Sequence, residues 1–197
     1  MQITLVVPEH LSPLIKNPKK SIVNAIKHFY NFNMPKVIDL FSSHNKLTEL
    51  LIEHKLNVVL GKRREARQSF QKFWVTLNSH SMCEDELLLP KFVELGLESN
   101  GCTAEILSKE HEKLRRLADE ARSRVNEQVS ELTAERRVYL LESLHMLSEV
   151  LEHHDVRERE AFLCKFSDKL NQDEIELLVA EAISLESALA TRLTNAI

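Results

Sequence analysis

Histidine and glutamate residues at helical spacing among apolar residues are the part of this sequence that could do chemistry. Six of them each continue an apolar row with steps of three or four residues: His44, His80, Glu84, His111, His154 and Glu158. Such steps keep side chains on one face of an α-helix, so each polar group shares the face that its own apolar neighbours bury. Buried carboxylates without compensation would each cost several kcal/mol, which a divalent cation removes. Imidazole and carboxylate together suit iron, zinc or manganese.

Two of the rows have the same build and continue beyond their glutamates. The row of the second predicted helix is Phe73, Leu77, His80, Glu84 and Leu87. The row of the fourth is Leu147, Leu151, His154, Glu158 and Ala161. The segments 80–92 and 154–166 also share six of thirteen residues, which indicates an internal repeat of helical hairpins.

The positions of the six residues along the chain predict that they lie at one level. In antiparallel neighbouring helices, residues at one level are equidistant from the connecting turn. The midpoints of 44 and 80, of 80 and 111, and of 111 and 154 fall at 62, 95.5 and 132.5. These midpoints lie beside Gly61, Gly96 and Thr133, which are independent signals for a helix to stop or start.

One layer of four histidines and two glutamates could hold two metal ions. We expect each ion to have two histidines, with both glutamates bridging, as four-helix bundles build two-metal carboxylate sites. With an oxo or hydroxo bridge, each ion would have about five ligands, so an octahedral iron would keep one position for O2, NO or peroxide.

The elements that must position these residues are helices. Glycine and proline number only 3 and 5 among 197 residues, too few for the many turns of an all-β or α/β fold. Start and stop signals predict an all-α, up-down-up-down four-helix bundle over 35–170. Its helices are predicted at about 35–61, 62–95, 103–125 and 133–166. An irregular arm and a short helix are predicted in 1–34. A capping box at Asn171–Glu174 opens an amphipathic helix in 171–197, which could cover the bundle or form a dimer interface.

The composition argues against several classes of protein. A net charge of −4 does not provide the excess of positive charge that would indicate binding to nucleic acid. The chain has no apolar run of about 18 residues, so no membrane partner is expected. The N-terminus lacks the basic region of a signal peptide. Three cysteines without a CxxC motif disfavour a disulfide framework, and a cytoplasmic location is expected.

Other polar residues admit competing interpretations. His145 and Glu149 form a further HxxxE pair that spacing alone does not exclude, although the internal repeat selects His154 and Glu158. His54 lies on the first helix's apolar row, about 15 Å from the level of His44, and is predicted to be structural. Cys83 is predicted to pack against a neighbouring helix, with a redox role near the metals as the alternative.

Four segments resemble the haemerythrin-like (HHE cation-binding) proteins: FSSHNKLTELL, NSHSMCEDELLLPKF, SKEHEKLRRL and EHHDVREREAFLCKF. The resemblance covers roughly 36–170. His44 and His111 match the family's single histidines on the first and third helices. The HxxxE motifs of the second and fourth helices match His80 with Glu84 and His154 with Glu158. The resemblance implies a non-haem di-iron site in a four-helix bundle, with iron favoured over zinc.

The sequence departs from the oxygen-carrying haemerythrins in two ways. Those proteins have HxxxH on the third helix, whereas this chain has Arg115 at the second position. Their fourth helix carries HxxxxD in place of HxxxE. Cys164 also replaces a proline that is usual in the family. The chain therefore resembles the four-histidine, two-glutamate branch, which includes iron and oxygen sensors and bacterial proteins of nitrosative stress and iron–sulfur repair.

Three functions remain open from the sequence. The first is a di-iron protein that binds O2 or NO at an open iron position, for sensing, storage or stress response. The second is a di-iron enzyme acting on peroxide or NO, or an iron donor for iron–sulfur repair, although no catalytic residue is identified beyond the ligands. The third is an interaction bundle with a structural metal such as zinc. A small diatomic ligand is the expected partner, and a homodimer is possible.

Overall fold

The computed structural model describes residues 42–127 and 132–196, and the predicted arm and helix in 1–34 lie outside them. Every regular element in the described ranges is helical, which confirms the all-α prediction. The α-helices are α1 (Ser42–Val59), α2 (Arg63–Cys83), α3 (Leu89–Glu94), α4 (Ala104–Asn126), α5 (Ala134–Ser143), α6 (His145–Arg157) and α7 (Gln172–Asn195). None of these described helices combines the length and apolar composition needed to cross a membrane.

Four of the predicted helices form the bundle, and short breaks reverse the chain between them. The first is α1, the second is α2 continued by α3, the third is α4, and the fourth is α5 continued by α6. The break after α1 is at Gly61, and the break after α3 is at Gly96, with φ of 70° and 64°. Glycine adopts this left-handed conformation without a steric penalty, which explains why both helices stop there. The third and fourth helices begin at Thr103 and Thr133, whose side chains accept hydrogen bonds from backbone N–H groups of the first turn.

Two apolar clusters form the core and leave a polar layer between them. One cluster contains Leu47, Phe73, Leu114 and Leu147, from all four bundle helices. The other contains Leu88, Phe92, Leu107, Phe162 and residues of α7. On the second, third and fourth bundle helices, the polar residues of interest fall where one cluster gives way to the other, and His44 lies in the first turn of α1. The apolar residues on both sides therefore hold the polar layer in place.

The second and fourth bundle helices each contain a π-helical turn that begins at a glutamate. The segments are Glu84–Leu88 and Glu158–Phe162. The N–H of Leu89 donates to the carbonyl of Glu84, and Leu163 donates to Glu158, five residues back in each case. The extra residue moves the next buried position along by one. The predicted apolar rows through Leu87 and Ala161 were therefore wrong beyond the glutamates, because Leu88 and Phe162 take the core positions.

The fourth helix is also interrupted, contrary to the prediction of one helix over 133–166. α5 ends at Ser143, and α6 begins after a break at Leu144. The hydroxyl of Ser143 donates to the carbonyl of Leu140, and the hydroxyl of Ser148 donates to the carbonyl of Leu144. Backbone carbonyls at the break therefore accept hydrogen bonds from side chains. After its π turn, the helix ends in a 3₁₀ segment, Leu163–Asp168.

The C-terminal helix α7 packs against the bundle, which is one of the two arrangements that its sequence allowed. The predicted capping box is present, since Asn171 Oδ1 accepts from the N–H of Glu174 and the Glu174 carboxylate accepts from the N–H of Asn171. Leu178, Ala182 and Leu189 are buried in the core cluster that includes Phe92. α7 lies mainly against α2.

Candidate metal centre

The structure brings all six predicted ligand side chains into one buried layer. α1 contributes His44, α4 contributes His111, and the ends of α2 and α6 contribute His80 and His154. The glutamates stand at the first positions of the two π turns. None of the six residues is more than 5% exposed, and the second glutamate is fully buried. A π turn at this place re-aims the chain beyond the glutamate, as π turns at functional sites often do.

The histidine Nε2 atoms face the two carboxylates across short distances. Nε2 of His44 lies 3.0 Å from Glu158 Oε2, and Nε2 of His80 lies 3.5 Å from Glu84 Oε1. Nε2 of His111 lies 3.1 Å from Glu84 Oε2 and 3.3 Å from Glu158 Oε1. Nε2 of His154 lies 3.0 Å from Glu158 Oε1.

These atoms form two overlapping groups of four potential ligands. One group is His44, His80, Glu84 and Glu158, and the other is Glu84, His111, His154 and Glu158. Within each group, one ligand atom per residue lies within 4.8 Å of every other. Both glutamates belong to both groups, so the layer offers two neighbouring positions for metal ions that share two carboxylates.

The unsatisfied polar atoms of the layer fit metal ions. Nε2 of His80 and both carboxylate oxygens of Glu84 are buried, and no hydrogen bond of normal geometry reaches them within the described residues. Burial would raise the pKa of Glu158, but the nearby imidazoles of His154, His44 and His111 hold it well below its usual range. The carboxylate is therefore ionised and needs positive charge beside it. A divalent cation would supply that charge and would give the unsatisfied nitrogen and oxygen atoms a partner.

A carboxylate lies beside the Nδ1 atom of each of the four histidines. Nδ1 of His44 donates to Asp155 at 2.5 Å, and Nδ1 of His111 donates to Asp85 at 2.6 Å. Nδ1 of His154 donates to Glu110 at 3.2 Å. Nδ1 of His80 lies 3.7 Å from a carboxylate oxygen of α7. Hydrogen bonds of this kind fix the tautomer with the lone pair on Nε2 and orient the ring toward a metal.

Arginine residues hold three of these outer carboxylates in turn. Arg159 donates to Asp155 at 2.6 Å, Arg115 donates to Asp85 at 2.8 Å, and Arg157 is paired with Glu110. Burial would raise the pKa of Asp85, but His111 and Arg115 lower it, so the carboxylate stays charged. The pKa of Asp155 is lowered in the same way, against the effect of burial, by His44 and Arg159.

The outer carboxylates were missed by sequence reasoning, although a signal was present for three of them. Asp85 follows a predicted ligand directly, Asp155 follows another, and Glu110 precedes a third. A residue adjacent in the sequence points about 100° away on the helix, toward the neighbouring helix and its histidine. The fourth outer carboxylate belongs to α7 and carries no such signal.

Arg115 stands where the oxygen-carrying proteins have a fifth histidine, and it takes part in the outer arrangement. Its guanidinium donates to Oδ2 of Asp85 and, at 3.0 Å, to Oγ of Ser81. Because a guanidinium stays protonated, it does not replace the missing imidazole as a ligand. It instead holds the carboxylate that orients His111.

A small cavity adjoins the layer beside three of the histidines. Its volume is about 10 Å³, and its walls include His44, His80, His154 and the apolar side chains of Leu47, Leu77 and Leu151. This volume is close to that of one water molecule by the same kind of measure. The cavity therefore has room for a very small molecule next to the ligand atoms.

The structure separates two other histidines from the layer. His145 is on the surface with 73% of its side chain exposed, and its Nε2 lies 3.2 Å from Glu149. This HxxxE pair is therefore not part of the layer. His54 is fully buried elsewhere in the core, where its Nδ1 donates to the carbonyl of Ala66 at 2.8 Å and its ring contacts Phe70. These contacts are those of a structural histidine.

Cys83 packs between α2 and α7, as its position before Glu84 predicted. Its thiol donates to the carbonyl of Ala182 at 3.3 Å. Burial, with the nearby carboxylates, raises the pKa of the thiol to about 12. The sulfur is therefore protonated and unreactive at neutral pH, which disfavours the redox alternative.

A comparison with known families agrees with this geometry. Residues 37–166 match the family model described as Hemerythrin HHE cation binding domain. The matched segment contains all six side chains of the layer and both π turns, and it ends before α7. No significant match emerges among the curated proteins or the solved structures. With two thirds of its length matched, and with the histidine and glutamate clusters that fit a metal site, the chain belongs to the hemerythrin family of HHE cation-binding domains.

Proposed function

We propose that the buried layer binds two iron ions, with His44 and His80 on one, His111 and His154 on the other, and Glu84 and Glu158 shared by both. The observation that carries this proposal is the overlap of the two ligand groups in both glutamates. A single cation would leave one position of the layer without a partner. Nitrogen and oxygen donors in this proportion suit iron, and an oxo or hydroxo bridge would complete the pair.

We further propose that the centre binds O2 or NO, in sensing, storage or a stress response. Two iron ions supply redox chemistry and a coordination position for a diatomic molecule. The chain supplies the small cavity, whose leucine walls exclude larger molecules. Arg115 at the position of a fifth histidine leaves one ion with fewer nitrogen donors, which favours these functions over oxygen transport.

Anaerobic loading with Fe²⁺ tests the proposal. We expect two irons per chain by elemental analysis, and a change in the absorption spectrum on anaerobic titration with NO. The Glu158→Gln variant should hold fewer than two irons. The matched control is Glu149→Gln, which alters the glutamate of the exposed HxxxE pair and should keep two.

Three results would contradict parts of this proposal. One iron or none in the wild-type protein would contradict the two-ion site. Purification with stoichiometric zinc, without a spectral response to NO after iron loading, would favour a structural metal. Catalytic turnover of peroxide or NO by the iron-loaded protein would favour the enzyme alternative.

A further inference from the structure

The outer carboxylate of His80 differs in origin from the other three. Asp85, Asp155 and Glu110 lie on the bundle helices, inside the segment 37–166 that matches the family. The carboxylate that faces Nδ1 of His80 belongs to Glu186, which is on α7 and outside that segment. The environment of His80 is therefore completed by an element that the family match does not include.

Ser43 holds the carboxylate of Glu186, and a second contact holds α7 one turn away. Ser43 donates from its hydroxyl toward both carboxylate oxygens, at 2.8 and 3.0 Å, and Ser43 directly precedes His44. One helical turn earlier on α7, the carbonyl of Ala182 accepts from the thiol of Cys83, which directly precedes Glu84. The contacts of α7 thus reach the immediate neighbours of two predicted ligands of the same metal position.

The carboxylate of Glu186 faces Nδ1 of His80 but does not form a hydrogen bond with it. At 3.7 Å, the carboxylate oxygen and Nδ1 are too far apart for a hydrogen bond, whereas the other three pairs lie at 2.5 to 3.2 Å. Nε2 of His80 is also buried without a hydrogen bond within the described residues. A metal ion at Nε2 requires the proton on Nδ1, and a shift of less than about 1 Å would let Nδ1 donate to Glu186.

We propose that Glu186 is a positioning residue for His80 and that, through it, metal binding at the His44–His80 position and docking of α7 stabilise each other. The proposal rests on the two-metal function proposed above. Coupling of this kind is reciprocal, because whatever strengthens metal binding on docking must strengthen docking on metal binding by the same factor. The His111–His154 position has both of its outer carboxylates from the bundle, so Glu186 does not orient its histidines.

This asymmetry predicts that the two metal positions differ in affinity. The His44–His80 position should bind its ion more weakly than the other position. Binding of that ion should also change the stability of α7 on the bundle.

Competition titrations with Fe²⁺ and a coloured ferrous chelator, under anaerobic conditions, test the positioning role. Glu186→Gln and Glu186→Ala should weaken one of the two ions by about 10- to 100-fold and leave the other unchanged. Ser43→Ala should cause a smaller loss, because the carboxylate remains but loses its hydroxyl donor. The control is Glu181→Gln, which alters an exposed glutamate five residues before Glu186 on α7. This variant should bind both ions with unchanged affinity. The unchanged ion shows in each variant that the bundle is folded.

Hydrogen exchange tests the coupling to α7. In the wild-type protein, loading with iron should slow exchange of the α7 amides around Glu186, and this added protection should be lost in Glu186→Ala. Protection of α4 on loading should be the same in both proteins. The proposal is overturned if both ions keep their affinities in the Glu186 variants, or if α7 exchange does not respond to metal. Failure of the wild-type protein to bind two irons would instead overturn the proposed function.

Discussion

At the scale of residues, the outer carboxylates determine which nitrogen of three histidines faces the layer. An imidazole can present either nitrogen, and the proton on the other nitrogen decides which one is free to bind a metal. Asp155, Asp85 and Glu110 each accept from Nδ1, so that Nε2 faces the layer. Arginines pair with all three carboxylates and hold them in place. The orientation of three of the four histidines is thus fixed by a chain of three residues, an arginine, a carboxylate and the imidazole.

Arg115 offers a direct test of such a chain. Arg115→Ala removes the donor to Asp85, so we expect His111 to lose its fixed orientation and the affinity of one iron to fall by about tenfold. Arg116→Ala is the control, because Arg116 is exposed and pairs with Glu120 on the surface. Equal iron affinities in the two variants, measured by chelator competition, would show that the Arg115–Asp85 pair does not position the histidine.

His54 gives the core a predictable response to pH. Burial is the main reason that its pKa is lowered to about 4 in the folded protein, from 6.5 in an exposed histidine. As the pH falls below 6.5, His54 becomes protonated in the unfolded chain but stays neutral in the folded protein. The folded state therefore loses stability until the pH reaches about 4, where His54 is protonated in both states. From pH 7 to pH 5 this loss is about 2 kcal/mol.

His54→Asn isolates the contribution of this residue, because the amide can still donate to Ala66 but does not titrate. Denaturant unfolding of the metal-free proteins should show the free-energy difference between wild type and variant shrinking by about 2 kcal/mol from pH 7 to pH 5. A difference that stays constant over this range would mean that His54 is not buried in its neutral form.

At the scale of elements, the π turns are the feature that periodicity could not predict. The apolar rows predicted the helices and the inward direction of the glutamates, because up to that point the spacing is that of a regular α-helix. Beyond Glu84 the chain reads Leu87, Leu88, Leu89, and beyond Glu158 it reads Ala161, Phe162, Leu163. A run of adjacent apolar residues satisfies both the regular register and the register shifted by one. The choice depends on packing against other helices, which the local pattern does not contain.

The shifted register predicts which leucine stabilises the second helix. Leu88 is buried in the core cluster, whereas Leu87 is only partly buried at its edge. Leu88→Ala should therefore lower the free energy of unfolding by about 2 to 5 kcal/mol, and Leu87→Ala by about 1 kcal/mol. Thermal or denaturant unfolding would check this. A larger loss of stability for Leu87→Ala than for Leu88→Ala would support the regular helical register and contradict the shifted one.

At the scale of the whole molecule, the bundle encloses a polar layer between two apolar clusters, and α7 closes one side of it. The sequence allowed the level of the layer to be predicted because helix spacing and turn positions are both local properties. The contact of Glu186 with Ser43 and His80 could not be predicted, since the amphipathic pattern of α7 shows which face is buried but not against which helix or at what height. Long-range packing decides those two quantities.

The whole centre should respond to oxygen differently from that of an oxygen carrier. With Arg115 bound to Asp85 and unable to act as a ligand, one iron of the proposed centre would have fewer nitrogen donors than in an oxygen carrier. We expect the reduced, iron-loaded protein to be oxidised by air within minutes, without reversible binding. Stopped-flow absorption after mixing with O2 would follow this, and spectral changes that disappear on degassing would contradict it.

We propose that two iron ions share Glu84 and Glu158 in one buried layer. Mössbauer spectroscopy of the air-oxidised protein, loaded with ⁵⁷Fe and measured at low temperature in an applied field, tests it most directly. Two ferric ions joined by shared ligands should couple antiferromagnetically, so that all the iron of a preparation with two irons per chain has a diamagnetic ground state. Ferric ions that remain paramagnetic and uncoupled would contradict the shared-carboxylate site. An iron content of only one ion per chain would contradict it as well.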